Sequence, residues 1–319
     1  MMVLHVEPRA YDAQTLVGKP TFWAGLLHKA QTLVASHAAI PDKIHYVADL
    51  RRWVLIQMTC ALYFENQIDS NRPRLSPKSL LDAVANTGLA SRNTVQAFLR
   101  EAAKVQILQH ADSSKLRQHA PDLSSGFISL MQLYAVMHLQ ALDTIDGGNR
   151  SAVLDDDPAL LFVLQPAFAR RICARPLWYD PPENIACFTK SNSGSSILHN
   201  LILATKDSKA DSADRFWVGP LSAGQLSENF KVSSAHVARI LSKARMIGAI
   251  GWEKPRQGGQ CWVSKLLTDN YAMWQAEKLA AMSAAFQDCQ ISSRVRIHNQ
   301  NMTTAANAHA DRKTLGHLS

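Results

Sequence analysis

A mainly α-helical fold, in which one helix-turn-helix unit occurs twice and each copy ends in a small β-hairpin, is what three features of this sequence predict. Apolar residues recur at helical spacing over most of the 319 residues. Two segments offset by 142 to 146 positions repeat the same order of capping and apolar residues. A run of strand-forming residues, broken by Gly258-Gly259, follows the second of them. With 47% apolar and 19% charged residues, the chain can bury a substantial core.

The elements follow in order. Residues 1–46 form an N-terminal helical extension, in which Phe22, Leu26, Leu27, Ala30 and Leu33 mark a helix over 22–36. The first domain, 47–146, opens with a helix over 48–66 that carries Trp53, Ile56, Cys60 and Tyr63 on one stripe. Asn71, Arg72 and Pro73 break it. Helices over 77–86 and 92–106 come next, then a long one over 123–143 that Gly147-Gly148 ends. Residues 147–194 read as a linker: an acidic stretch with Asp155, Asp156 and Asp157, a helix over 159–173 interrupted by Pro166, and a Pro-, Asn- and Ser-rich boundary over 176–196. The second domain spans 195–288. The polar tail, 289–319, is expected to be disordered.

The repeat is visible residue by residue. Leu75, Ser76 and Leu80 match Leu221, Ser222 and Leu226 at an offset of 146. Val95, Phe98, Leu99 and Ala102 match Val237, Ile240, Leu241 and Ala244 at 142, so the first copy has a turn four residues longer. Ser222 is placed to cap one helix, with Gln225 completing a capping box. Ser233 or Ser234 caps the next, and Ser91 does so in the first copy. Gly88 supplies the permissive backbone its turn needs. Val237, Ile240, Leu241 and Ala244 form one apolar stripe, which leaves the opposite face free.

Residues 250–264 then read as strand, Gly-Gly turn and strand. A helix-turn-helix followed by such a hairpin resembles a winged helix-turn-helix domain. The first copy carries a weaker candidate wing over 107–120, with Asp112 at its turn. Over 48–143 and 195–287 the chain is broadly similar to transcriptional regulators of the multiple-antibiotic-resistance type. That resemblance implies a sequence-specific regulator that binds double-stranded DNA by operator occupancy, as a homodimer, with the long helices over 123–143 and 266–287 as dimer or interdomain packing elements. The second helix of the motif would enter the major groove. In the second copy this nominates Ser234, His236, Arg239 and Lys243, with Lys254 and Arg256 on the wing. In the first it nominates Arg92, Asn93, Gln96, Arg100 and Lys104. Glu101 stands where the second copy has Lys243, and a carboxylate there repels phosphate. A solvated charged face is the competing reading for the second copy, and a structural or dimerising role for the first.

Charge supports a nucleic-acid partner. The net charge is +8. Six basic against three acidic residues give 75–120 a net +3, and seven against two give 221–265 a net +5. The remainder is neutral, which favours DNA over a membrane surface. No enzyme is expected: the sequence holds no GxSxG, P-loop or GxGxxG motif, and its twelve histidines have no ligand spacing. The five cysteines form no CxxC pair, so neither zinc nor a disulfide framework is expected, and no cofactor. Cys173, near Arg170, Arg171 and Arg175, and Cys187 are the thiols to weigh as redox sensors. No secretory core precedes residue 15, and the run 53–64 is too short to span a bilayer, so a cytoplasmic location is expected. Trp178-Tyr179 raises a pocket for a small-molecule effector of unknown identity, against plain aromatic packing. Tandem winged helices also occur in plasmid replication initiators, and winged helices serve as protein-interaction modules. Both stand as alternative functions.

Overall fold

The computed structural model describes residues 10–40, 44, 46–109, 121–254 and 259–315, with side chains to Ile291. It is mainly helical. Helices α1 (Ala13–Val17) and α2 (Phe22–Ala39) precede the first unit: α3 (Leu50–Ile68), α4 (Pro77–Val84) and α5 (Arg92–Lys104). The two-residue strands β1 (Leu108–Gln109) and β2 (Asp122–Leu123) and the long α6 (Ser125–Asp146) complete it. Then come α7 (Arg150–Asp156), α8 (Leu161–Cys173), α9 (Pro176–Tyr179) and α10 (Glu183–Thr189). The second unit runs α11 (Gly194–Leu203), β3 (Arg215–Pro220), α12 (Ala223–Phe230), α13 (Ser234–Met246), β4 (Ile250–Trp252), β5 (Gln260–Ser264) and α14 (Lys265–Leu315).

The repeat holds at the level of single hydrogen bonds. Helices α4 and α12 have eight residues each, and α5 and α13 thirteen. Ser76 and Ser222 cap the first pair; Ser91 and Ser233 cap the second. A reciprocal capping box forms in the first copy, where Ser79 Oγ accepts from the Ser76 amide at 2.9 Å. In the second, Ser222 Oγ accepts from the Gln225 amide at 3.2 Å. The longer first turn contains a single 3-10 turn (Ala85–Thr87) and Gly88 at φ 62°. Its counterpart is Lys231, at φ 53°. Past α5 and α13 the chain closes identically: the Ile107 amide donates to Ala102 O and the Ala249 amide to Ala244 O, both at 2.9 Å. The hairpins pair Leu108 with Leu123 and Ile250 with Val263.

The second unit adds a strand that the sequence reading lacked. β3 pairs antiparallel with β5, and β5 with β4, in the order β3-β5-β4. The run Arg215–Val218 is rich in aromatic and β-branched residues, bounded by Gly219-Pro220, and is a strand signal. A register shift falls between Trp217 and Gly219, where Gly219 takes φ 82°.

Two expectations about organisation are corrected. Residues 147–194 are no linker: α7 to α10 contribute Leu154, Leu161, Leu164, Phe168, Trp178 and Phe188 to one core that both units share. Their Pro and Asn residues sit at helix starts, as Pro176 does, and α8 runs straight through Pro166. The expected disordered tail belongs to α14, which runs to Leu315. Neither Gly nor Pro occurs between 265 and 315 to stop it. The long helices, expected to serve dimer or interdomain packing, pack between the units within the chain. Leu267, Tyr271, Trp274, Leu279 and Met282 of α14 are all buried against the chain's own core.

Candidate nucleic-acid interface

On α13 the apolar stripe Val237, Ile240, Leu241 and Ala244 is buried against α12, β4 and α10. The opposite face is thereby turned outward, and Ser234, Ala235, Arg239, Ser242 and Lys243 are all exposed. Thirteen residues at 1.5 Å rise make a rod about 20 Å long, a match for a stretch of major groove. Ser233 Oγ accepts from the His236 amide at 3.2 Å, and Ser234 Oγ lies 2.9 Å from Ser227 Oγ. These bonds fix the first turn of α13 on α12. Arg239 Nε lies along its own helix, 3.5 Å from Ala235 O, with the rest of the guanidinium facing solvent. Lys254 is exposed at the end of β4. Arg256, Gly258 and most of the first candidate wing, 110–120, lie outside the described residues.

The first unit presents the same face. Val95, Phe98, Leu99 and Ala102 are buried, and Arg92, Asn93, Gln96, Arg100 and Lys104 are exposed. Arg74 and Lys78, at the start of α4, extend that basic surface. The sequence reading passed over both, although the pattern of exposed bases beside a cap was there to see.

His236 and Glu101 take roles that no local pattern announces. His236 is half-buried, and its Nε2 lies 3.0 Å from Asn192 O in the turn between α10 and α11. The Asn192 side chain accepts from Arg52 Nη1 at 3.1 Å. Arg52 in turn pairs with Glu101 on α5 at 3.5 Å. The ring of His236 is thus committed to the junction between the units, and Glu101 is partly neutralised by Arg52. A continuous polar chain joins the two outward-facing helices through α3 and the α10–α11 turn.

Elsewhere the chemistry is muted. All five cysteines are free. Burial pushes the Cys173 and Cys187 thiols up to about 12, so the arginines near Cys173 do not activate it. No group of three metal-ligating side chains occurs among the described residues, and no helix there is long and apolar enough to cross a membrane. Trp178 is buried and stacks on Trp274 beside a small cavity, so packing and pocket coincide at that residue.

No protein-family model matches the chain, and neither a curated protein nor a solved structure matches it. The candidate interface therefore rests on its own geometry.

Proposed function

We propose that this chain binds double-stranded DNA through both helix-turn-helix units, as a winged-helix regulator of transcription that acts by occupying its site. The observation that carries this reading is α13. It is a capped helix held on its partner by a buried stripe, its outer face is polar and basic, and it sits in a helix–strand–helix–helix–strand–strand unit with the order β3-β5-β4. That arrangement suits insertion of a helix into the major groove with the hairpin alongside. Arg239 is the residue best suited to guanine or phosphate, and Lys243 and Lys254 to phosphate. Because one chain carries two such helices, two DNA segments are read without a second copy.

The test is fluorescence anisotropy of the full chain on duplexes selected from a random library, at several salt concentrations. Each phosphate contact contributes about 0.9 to the slope of log K against log salt, so Arg239→Ala with Lys243→Ala lowers it by about 2. An unchanged slope and affinity would remove α13 from the interface. No DNA affinity at low salt, beside a stable protein complex, would favour the interaction-module reading. The presence of two reading helices on one core favours a second use of the same surface, origin binding by a replication initiator. Selection of directly repeated sites, with strand opening detected by permanganate, distinguishes it from promoter binding.

A further inference from the structure

Where α2, α3, α6, α9, α11 and α14 converge, between the two helix-turn-helix units, a partly open pocket of about 90 Å³ reaches into the core, with Leu33, Ile44 and Val47 at its half-buried side. Its walls include Trp53, Tyr134, Trp178, Trp274, His199 and Lys278. The Trp178 and Trp274 rings are stacked at 4.4 Å, and Trp53 lies 5.0 Å from Trp178. Lys278, only 4% exposed, brings its Nζ to 4.6 Å from the Trp178 ring centre, 5.3 Å from Trp53 and 5.6 Å from Tyr134. Ring faces are what it meets: among the described residues, no hydrogen bond or ion pair to a carboxylate or carbonyl is formed by its Nζ. Nearby, the fully buried Lys29 donates to Gln275 Oε1 at 2.7 Å.

The balance of charge around this cavity is one-sided. No Asp or Glu is buried among the described residues. Arg150, the buried guanidinium, sits between Asp143 and Asp146, whereas Lys29 and Lys278 lie beside no acid. Trp178 Nε1 and Gln275 Nε2 are two further buried donors without an acceptor. A buried cation normally has a partner, because leaving it unpaired costs several kcal/mol. Aromatic walls with a single ammonium among them form the complement of a molecule with a hydrocarbon body and one acidic end. A cation is excluded by Lys278, and a multiply charged inorganic anion by the apolar walls.

We propose that this cavity is a binding site for a small apolar carboxylate, whose carboxylate pairs with Lys278 and whose body lies against Trp53, Trp178 and Trp274. The site stands independently of any DNA binding. Burial pushes the Lys278 amine down to about 7, so above that pH the empty site holds it largely neutral. An incoming carboxylate favours the ammonium and draws in a proton. Among the described residues, the titratable groups facing Lys278 are Lys29 from α2, Tyr134 and His138 from α6 and His199 from α11, with Tyr271 from α14 hydrogen-bonded to His199. Burial drives both histidine pKa values down and both tyrosine values up, so none of these side chains is an anion at neutral pH.

Isothermal titration of the full chain with benzoate, benzyl alcohol and inorganic phosphate tests the site. Benzoate is expected to bind at one site, with proton uptake seen as a dependence of the heat on buffer at pH 8. Above that pH its affinity falls by about tenfold per unit, as one linked proton requires. Lys278→Met is expected to weaken benzoate by about tenfold or more, since the charge-assisted pair is lost. The same variant should leave the helical circular dichroism intact. The wild-type pH series tests the proposal even if that variant fails to fold. Three results would overturn it: no binding of benzoate at millimolar concentration, benzyl alcohol or phosphate binding as tightly as benzoate, or benzoate affinity indifferent to pH and to Lys278→Met.

Discussion

Gly194 opens α11 with its Cα against the backbone of α10. A Cβ built there would lie 1.8 Å from Phe188 O. No rotamer change relieves a clash with backbone, so Gly194→Ala must push the two helices apart. The cost expected is at the upper end of the 1–3 kcal/mol typical of overpacking, about 3 kcal/mol, read as a lowered urea midpoint. Gly148, whose Cβ would meet the flexible Arg150 guanidinium and Asp143 Oδ1, is the milder comparison. Nothing in the sequence separates these two glycines, because both stand in Gly- or Ser-containing breaks. What distinguishes them is which element the fold brings against each.

The buried bases set the pH profile. His138 and His199 are held neutral, chiefly by burial and then by the charges of Lys278 and Lys29. As pH falls through the ordinary histidine value of 6.5, the unfolded chain takes up protons that the folded chain refuses. Stability is therefore lost on acidification below that point. Lys278 works at the other end: its amine titrates at about 7 when folded and 10.5 when free. Between those values the unfolded chain again binds more protons, so these amines, Lys29 included, make stability rise with pH from 7 towards 9; above 9 the buried thiols of Cys60, Cys173, Cys187 and Cys261, held protonated by burial, act the other way. Urea unfolding at pH 5, 7 and 8.5 is expected to give midpoints in ascending order. Lys278→Met removes a buried, unpaired amine. It should raise the midpoint at pH 7 and flatten the rise above it. A profile unchanged by Lys278→Met would place the rise elsewhere.

The two copies can be compared element by element, and the comparison identifies a flaw in one of them. After α13 the chain turns through Gly248 at φ 70°, and after α5 it makes the same turn through Gln106 at φ 57°. The three flanking hydrogen bonds have equivalent partners in both copies, and the closing one is 2.9 Å in each. A side chain in the left-handed region costs about 1 kcal/mol relative to glycine. Gln106→Gly is accordingly expected to raise stability by about 1 kcal/mol, and Gly248→Gln to lower it by a similar amount, both measured by chemical denaturation. The capping serines, the apolar stripes and the four-residue difference in turn length were legible in the sequence because each is a short-range pattern. β3 went unread because only five or six residues carry its signal and its partner, β5, lies about forty positions on. Helices α7 to α10 looked like a linker for a related reason. Their Pro-rich starts resemble breaks, and the burial that holds them comes from α3 and α14, far away in sequence.

At the scale of the whole molecule, the two units share one hydrophobic core. The core is continuous from Leu16 through Phe98 and Phe168 to Phe286, and α2 packs on both α6 and α11. The outward helices α5 and α13 are further joined by Glu101, Arg52, Asn192 and His236. Local patterns could nominate His236 as a base reader and Glu101 as a repeller, but not place them in one chain of contacts. The consequence for DNA binding concerns spacing. Two reading helices on a flexible linker tolerate inserted base pairs with little loss, whereas two on one rigid body do not. Inserting about 5 bp, half a helical turn, between the two contacted segments turns one of them to the opposite side of the duplex. On the proposed function, affinity for that probe should fall to the level of a single half-site, and inserting about 10 bp should not restore it, because the separation of the helices is fixed. Asn192→Ala cuts the polar chain but leaves the apolar core whole, so it should soften this penalty without removing it. Competition binding on the three spacings, with wild type and Asn192→Ala, measures both effects. Equal affinity for all three would show the two helices to be reading DNA independently of the core they share.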